Sequence, residues 1–247
     1  MRILLLGGTG YIGNILASLL EAKGYECVRV GTKTNPKFVL DKKIDVSIFK
    51  NIDCVFYLSW MFDTTNKRYK EINVSSVQEI LNHSKDRDIK LFFFSTLLAT
   101  ETSRSIYNQT KGICEKIVIK NGQNVIKLGS VNIEGFPKGG FYGNILNFYE
   151  KFGFLPKILP NKAYFYKTDL SRLNQFVSIF KNMQNSTYIC ADKEPKKLFE
   201  VLGLKKKVKY LPLPWVLIYV TLKTLEVMNF KLKFRSDSLI SIWGEKV

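Results

Sequence analysis

The hydrophobic pattern opens on Ile3-Leu4-Leu5-Leu6, an uncharged apolar run of the kind a strand buried on both faces requires. Gly7, Gly10 and Gly13 follow at once. Ile12, Ile15, Leu16, Leu19 and Leu20 then recur at helical spacing, and Gly24 supplies a helix end. Glu26-Cys27-Val28-Arg29-Val30 alternates as a second strand. Residues 34–52 carry polar breaks, with a weak strand predicted near Ile44–Val46. Asp53 to Leu58 predicts a buried strand, and Asn66 to Lys85 a helix with Ile72, Val77, Ile80 and Leu81 on its inner side. Lys90 to Phe94 predicts the next strand, Ile106 to Lys120 a helix, and Val125 to Leu128 a further strand. Strand and helix that alternate with short connections make a doubly wound parallel sheet.

Beyond residue 130 the rhythm changes. Residues 132–167 are rich in Gly, Pro and aromatics and predict loops with one short helix. A helix near Ser171–Lys181, a strand at Thr187–Cys190 and a helix near Pro195–Leu202 follow, then an apolar helical stretch over Pro214–Asn229 and a short tail helix. The fold class is therefore α/β: a Rossmann-type doubly wound parallel sheet with a small C-terminal substrate-binding lobe. Residues 1–130 form the dinucleotide-binding domain, 160–190 return to it, and 131–247 are mainly the lobe. The apolar run Trp215–Val220 is far too short to cross a bilayer, so no transmembrane segment is expected. With Lys on both flanks, this stretch either packs within the second domain or makes peripheral contact with a membrane surface.

Composition changes this picture little. The chain has 247 residues, 46% of them hydrophobic and 24% charged, which suits a globular protein with a sizeable core. Cys27, Cys54, Cys114 and Cys190 lie far apart, form no metal-type pair and read as reduced thiols, so no metal is expected and the location is cytoplasmic. Glycines interrupt the first apolar run before an export signal could be complete. The net charge of +17 is the one unusual number. Lys is scattered along the chain, outnumbers Arg and lacks an interleaved aromatic platform, so no nucleic acid is expected. A Lys-rich surface that favours phosphate-bearing ligands remains.

The strand–glycine turn–helix unit at the start is the device that holds a dinucleotide pyrophosphate. Glycine lets the backbone approach the phosphates, and the free N–H groups of the helix face the charge. Gly7, Thr9, Gly10, Tyr11, Ile12 and Gly13 are the candidate cofactor-binding residues, with Leu58 and Ser59 beyond the strand that starts at Asp53. An acidic residue about twenty positions past such a loop would bind the ribose hydroxyls of NAD. Here the second strand ends in Gly31-Thr32-Lys33, with no carboxylate. Thr32 and Lys33 are thus candidate cofactor residues, and Lys33 could attract a 2′-phosphate. NADP is the preferred cofactor, and NAD is possible.

Tyr107 and Lys111 stand four residues apart on a predicted helix, hence on one face. A tyrosine near its reference pKa of about 10 is a poor acid–base group, and a nearby ammonium would lower that value. Thr96, at the tip of the preceding strand, can hold a substrate oxygen. Together they could move a proton at a carbonyl or alcohol while a nicotinamide moves the hydride. Tyr219 and Lys223 repeat the spacing, but far downstream. His83, the only histidine, reads as a surface or capping residue.

At these residues the chain resembles the extended short-chain dehydrogenase/reductase family, in particular its nucleotide-sugar epimerases, dehydratases and reductases. Gly7, Gly10 and Gly13 match the glycine loop, Asp53 to Leu58 is similar to the family's fourth strand, Asn73 matches the asparagine of the helix that follows it, and Ser95-Thr96 with Tyr107 and Lys111 match the catalytic positions. Lys127 to Ser130 with Gly135 and Pro137 is similar to the segment leading into the substrate lobe. Tyr166 to Leu170 is similar to a late Asp-containing signature. The resemblance implies that Thr96 hydrogen-bonds the substrate oxygen, that Tyr107 is the acid/base, and that Lys111 grips the nicotinamide ribose. It further implies that Ser130 and Lys162 meet a nucleotide-linked sugar substrate, and that a homodimer is possible.

The chain also departs from the pattern. Leu97-Leu98 stands where family dehydratases carry an Asp-Glu pair, which argues against dehydration. No cysteine follows Thr96, which argues against 3,5-epimerisation. Ser59-Trp60 stands where small residues flank the cofactor, so the pocket is narrowed there. The expected activity is 4-keto-sugar reduction or 4-epimerisation. A reductase of another carbonyl and a non-catalytic dinucleotide-sensing or RNA-binding relative are the alternatives.

Overall fold

The computed structural model describes residues 1–133, 140–159, 163, 165–204, 208–230, 232 and 234–244. In chain order the elements of the first part are β1 (Arg2–Leu6), α1 (Tyr11–Glu21), β2 (Glu26–Val30), β3 (Cys54–Tyr57), α2 (Tyr69–Lys85), β4 (Lys90–Thr96), α3 (Ile106–Lys120) and β5 (Asn124–Leu128). There follow β6 (Ser130–Val131), α4 (Gly140–Phe152), β7 (Phe154–Leu159), β8 (Lys167–Thr168), α5 (Leu170–Ile179) and β9 (Thr187–Cys190). The last part holds α6 (Leu198–Val201), β10 (Lys209–Pro214), α7 (Trp215–Val227) and α8 (Ser236–Leu239), which a π-helical turn over Ile240–Gly244 extends.

The main sheet has six parallel strands in the order β2-β1-β3-β4-β5-β9. This is the α/β, doubly wound arrangement that the alternation of strand and helix predicts. The chain leaves β1 on one side to form β2 and crosses to the other side for β3. A crevice therefore opens between the C-terminal ends of β1 and β3, the place where such sheets bind ligands.

Both faces of the sheet are covered, which is why its strands read as unbroken apolar runs. On one face Leu4, Leu6, Val55, Tyr57, Leu91 and Phe93 pack with residues of α2 and α3. On the other, Ile3, Leu5, Phe56, Phe92, Phe94 and Ile126 pack against α1 and α5. Phe56 lies 5.6 Å from Phe176 and 5.4 Å from Phe180, ring centre to ring centre. β9 lies beside β5 in register Leu128↔Cys190, and α5 packs on α1, so residues 170–190 are physically part of the sheet layer.

Three expectations are corrected. Near Ile44–Val46 there is no strand: Asp45 accepts a hydrogen bond from Ser47 N–H at 3.0 Å and caps a 3-10 turn over Val46–Phe49. The edge of the sheet is therefore β2. Within 132–167 the chain forms more than loops and a short helix. It contains α4 and also β7, which pairs in parallel with β10. Both strands carry proline, tolerated because a sheet of two strands consists only of edges. The helix near Pro195–Leu202 shrinks to α6, because Lys196 bridges to Phe165 and Glu200 accepts from Lys197 N–H at 2.7 Å to cap the turn there.

Gly13 decides how α1 meets β1. A Cβ there would overlap the Gly7 carbonyl oxygen and come within 2.7 Å of Gly8 Cα, all of it backbone. Gly13→Ala is expected to destabilise the chain by about 1–3 kcal/mol through overpacking. That corresponds to a melting temperature lower by roughly 2–4 °C per kcal/mol, read by scanning calorimetry. An unchanged melting temperature would show that α1 can move away from the turn.

Candidate active site

The turn after β1 is built from backbone. Gly7 has φ +89, donates to Val30 O at 2.8 Å, and its carbonyl accepts from Gly10 N–H at 3.0 Å. A side chain at Gly7 would also meet Ser59, whose N and Oγ both lie 2.9 Å from the added Cβ. Gly10 is the N-cap of α1 and offers no side-chain hydrogen bond, so the first N–H groups of the helix have no side-chain cap. That is the arrangement an anionic pyrophosphate needs. Thr9 and Gly10 are exposed at the crevice and Ile12 is half-buried. The Tyr11 hydroxyl turns to the lobe and accepts from Ile133 N–H at 3.0 Å.

Across the crevice, Leu58 N–H bonds Leu6 O at 2.8 Å, which brings Ser59 beside the glycine turn. Asn73, fully buried on α2, holds the next residues. Its Oδ1 accepts from Met61 N–H at 3.0 Å, and its Nδ2 donates to Tyr69 O at 3.0 Å. Thr32 and Lys33 are exposed in the turn after β2. Arg29, on β2 itself, is paired with Glu21 at 2.6 Å and donates to Asn14 Oδ1 at 3.3 Å.

Thr96 sits half-buried at the C-terminal end of β4, and Tyr107 is the second residue of α3. The N-terminus of α3 is held from the far end of the chain. Asp237 Oδ1 accepts from Ile106 N–H at 2.7 Å, while Oδ2 accepts from Tyr107 N–H at 3.1 Å and Ser105 Oγ at 2.9 Å. A buried carboxylate on a helix N-terminus is favoured by the helix dipole as well as by these bonds. The Tyr107 ring stacks on Phe62 at 6.3 Å and meets Trp60 edge-on at 6.2 Å.

Lys111, one turn further, is buried. Its Nζ donates to Phe94 O at 2.7 Å and lies 3.8 Å from the centre of the Trp60 ring. Burial pulls the ammonium down to about 7. Burial and then the Asp237 charge push the Tyr107 hydroxyl up to about 12. The expected lowering of Tyr107 by Lys111 is therefore corrected. The ammonium is desolvated and engaged by Phe94 and Trp60, and the charge that bears on the phenol is negative. Trp60 is a buried core residue, fixed by a 2.8 Å bond from Nε1 to Tyr69 Oη.

In the lobe, the buried Ser130 hydroxyl bonds the hydroxyl of Tyr142 on α4, so its partner is protein. Gly135, Pro137 and Lys162 lie outside the described residues. A groove of about 270 Å³ runs between β7, α6 and β10, and its walls include Phe165, Tyr210, Trp243, Lys157 and Lys197. Among the described residues no cluster of His, Cys, Asp or Glu could hold a metal ion. Sequence reasoning missed Asp237 and Tyr142. Their contacts depend on how the lobe folds back, and no local spacing marks them.

The buried Lys111 makes stability depend on pH in a definite direction. In the folded, cofactor-free chain it loses its proton near 7, and in the unfolded chain near its reference value of about 10.4. Between those values the unfolded chain binds more protons, so this residue makes stability rise with pH across that window. Lys111→Met is expected to flatten the rise in urea-unfolding free energy measured against pH. An identical slope in both proteins would assign the effect elsewhere.

Comparison with known proteins supports the same reading of the fold. Residues 3–101 match the model of the NAD dependent epimerase/dehydratase family. No curated protein matches the chain. Among solved structures, UDP-glucose 4-epimerase with UDP-glucose from Thermotoga maritima is similar at 16% identity and a TM-score of 0.65, over 86% of each chain. MoeE5 in complex with UDP-glucuronic acid and NAD is similar at 14% identity and a TM-score of 0.68, over 98% of this chain and 97% of that one. The dTDP-glucose 4,6-dehydratase of Bacillus anthracis in complex with NAD is similar at 14% identity and 0.64, over 98% and 95%. Residues 3–101 thus carry the pattern of the NAD dependent epimerase/dehydratase family, and the chain takes the fold of solved nucleotide-sugar epimerases and dehydratases.

Proposed function

We propose that the chain is an NAD(P)-dependent oxidoreductase acting at one carbon, C4, of a nucleotide-activated sugar, and that it works chiefly as a 4-keto-sugar reductase. The observation that carries this reading is the Tyr107 phenol, packed by Trp60 and Phe62 at the start of α3, the helix that follows the strand ending in Thr96. A neutral phenol is the form that can give a proton to a carbonyl oxygen as that oxygen gains charge. A 4-epimerase must keep and recycle its cofactor, whereas the exposed Lys33, with no carboxylate beside it, favours the exchangeable NADP of a reductase.

The glycine turn fits a dinucleotide, since Gly7 and Gly13 leave no room for a Cβ and the start of α1 has no side-chain cap. Gly7, Gly10, Gly13 and the first N–H groups of α1 would hold the pyrophosphate, with Ser59 facing them from the segment just after β3. When bound, the nicotinamide supplies or accepts the hydride. Thr96 Oγ1 would orient the substrate oxygen and Tyr107 would donate the proton to it, and Lys111 would reach the nicotinamide ribose by exchanging its bond to Phe94 O for one to a ribose hydroxyl. Trp60 and Phe62 pack against the Tyr107 ring and fix its position. The lobe groove supports a nucleotide-linked substrate, because it sets aromatic rings beside Lys157 and Lys197, which suit a base and a diphosphate. The exposed Lys33, with no carboxylate beside it, supports NADP.

Incubation with NADPH or NADH and a panel of nucleotide-linked 4-keto sugars, followed by nicotinamide absorbance, tests substrate class and cofactor together. Tyr107→Phe is expected to slow reduction by about 10²- to 10⁴-fold while NADPH still raises the melting temperature. Equal rates in the two proteins would remove Tyr107 from the chemistry. Turnover of an unactivated carbonyl, with none of the sugars consumed, would replace the substrate class.

Lys33→Ala is expected to raise the KM for NADPH roughly twofold to fivefold, the range of an exposed ion pair, and to leave that for NADH unchanged. Parallel changes in both would return the cofactor choice to NAD.

A further inference from the structure

α7 is an apolar helix that the fold leaves outside. None of its residues is buried, and Val216, Leu217, Val220 and Val227 are 65%, 61%, 53% and 76% exposed. The surface continues into Met228 and Phe230 after the helix and Leu211 before it, each more than two-fifths exposed. Exposed aliphatic groups gathered in this way mark a surface meant to be covered.

The charge around the helix says by what. From Lys205 to Arg235 the sequence is rich in lysine, and Glu226 is its only acid. That acid does not face outward. Glu226 accepts from Ser236 N–H at 2.7 Å and from Ser236 Oγ at 2.8 Å, and its side chain is 5% exposed. Lys209 on β10 and Lys223 on α7 are exposed. Lys223 is 3.8 Å from Glu226, a long contact that leaves its side chain 58% exposed. The region therefore presents aliphatic groups and positive charge together.

We propose that this face docks the protein on an anionic phospholipid bilayer, with α7 lying in the interface. Such a surface matches both features: acyl chains take the aliphatic side chains, and the headgroups take the lysines. A second copy of this chain would match only the first, since a two-fold interface would set these lysines against themselves. Nucleic acid would match only the second. The 13 residues of α7 span about 20 Å, short of a hydrocarbon core of about 30 Å, so the helix lies on the membrane and does not cross it. Trp215 and Tyr219, stacked 5.0 Å apart at its start, are residue types that favour the headgroup region.

The test is co-sedimentation of the full chain with vesicles of phosphatidylcholine alone and of phosphatidylcholine with phosphatidylglycerol. Binding is expected only to the anionic vesicles, and to weaken several-fold as salt is raised. Leu217→Glu is expected to lower the partition at least tenfold, and Lys223→Glu at least fivefold. Both side chains are exposed, so circular dichroism and melting temperature should match the parent and show that the variants are folded. Absent binding, equal binding to both vesicle types, or binding unmoved by Leu217→Glu would overturn the proposal. So would a dimer that Val220→Glu separates in the absence of any vesicle binding, since it would assign the face to a second copy.

Discussion

The architecture depends on a close approach that only glycine permits. With no Cβ at Gly13, the first turn of α1 rests on the backbone of Gly7 and Gly8. That contact sets the angle at which α1 leaves β1 and keeps its first N–H groups aimed into the crevice. Ser59 fills the space beside Gly7 from the other side, so the two walls are fixed by backbone at their nearest point. The aromatic packing of Phe56, Phe92 and Phe94 against Phe176 and Phe180 then holds the sheet to α5 behind that crevice. The apolar core adds mass to the arrangement, but the glycine contact gives the crevice its shape.

A second constraint acts from the C-terminal end. Asp237 takes the hydroxyl of Ser105 and the N–H groups of Ile106 and Tyr107, and so joins the lobe to the helix bearing the phenol. Glu226 binds the neighbouring residue, Ser236, which ties the end of α7 to the same short helix. The path from α7 to Tyr107 is therefore a run of charge-assisted hydrogen bonds, short and buried where it meets α3. Its electrostatic effect reinforces its mechanical one, because the carboxylate that fixes Tyr107 also disfavours loss of its proton.

Much of this was legible in the sequence wherever the pattern was local. Glu26–Val30, Ile106–Lys120 and Thr187–Cys190 form with the boundaries their periodicity predicts, because each buries a face defined by its own residues. Ile44–Val46 misled because alternation there competes with the cap made by Asp45, a side-chain bond that periodicity does not register. β7 and β10 were hidden by their prolines, which count against an interior strand but not against an edge. In the candidate site, the glycines could be named from their spacing, and Thr96 and Tyr107 from their place at the end of one strand and the start of the next helix. The direction of Lys111 could not be read in this way. Helical spacing places it on the face of Tyr107, but the carbonyl of Phe94 and the ring of Trp60 come from other elements.

That direction matters for the chemistry. A charged lysine held beside the phenol would stabilise a phenolate and make Tyr107 a base, suited to taking a proton from an alcohol. Lys111 is instead buried against rings and pulled down to about 7, so near neutral pH it is close to losing its charge. Tyr107 meets a carboxylate nearby and stays protonated. Two ionisable groups on one helix face are thus moved apart in opposite directions, the phenol up and the ammonium down. In the cofactor-free chain the phenol is therefore held neutral by burial and by Asp237, and the ammonium is the group of the two nearest to exchanging a proton at neutral pH.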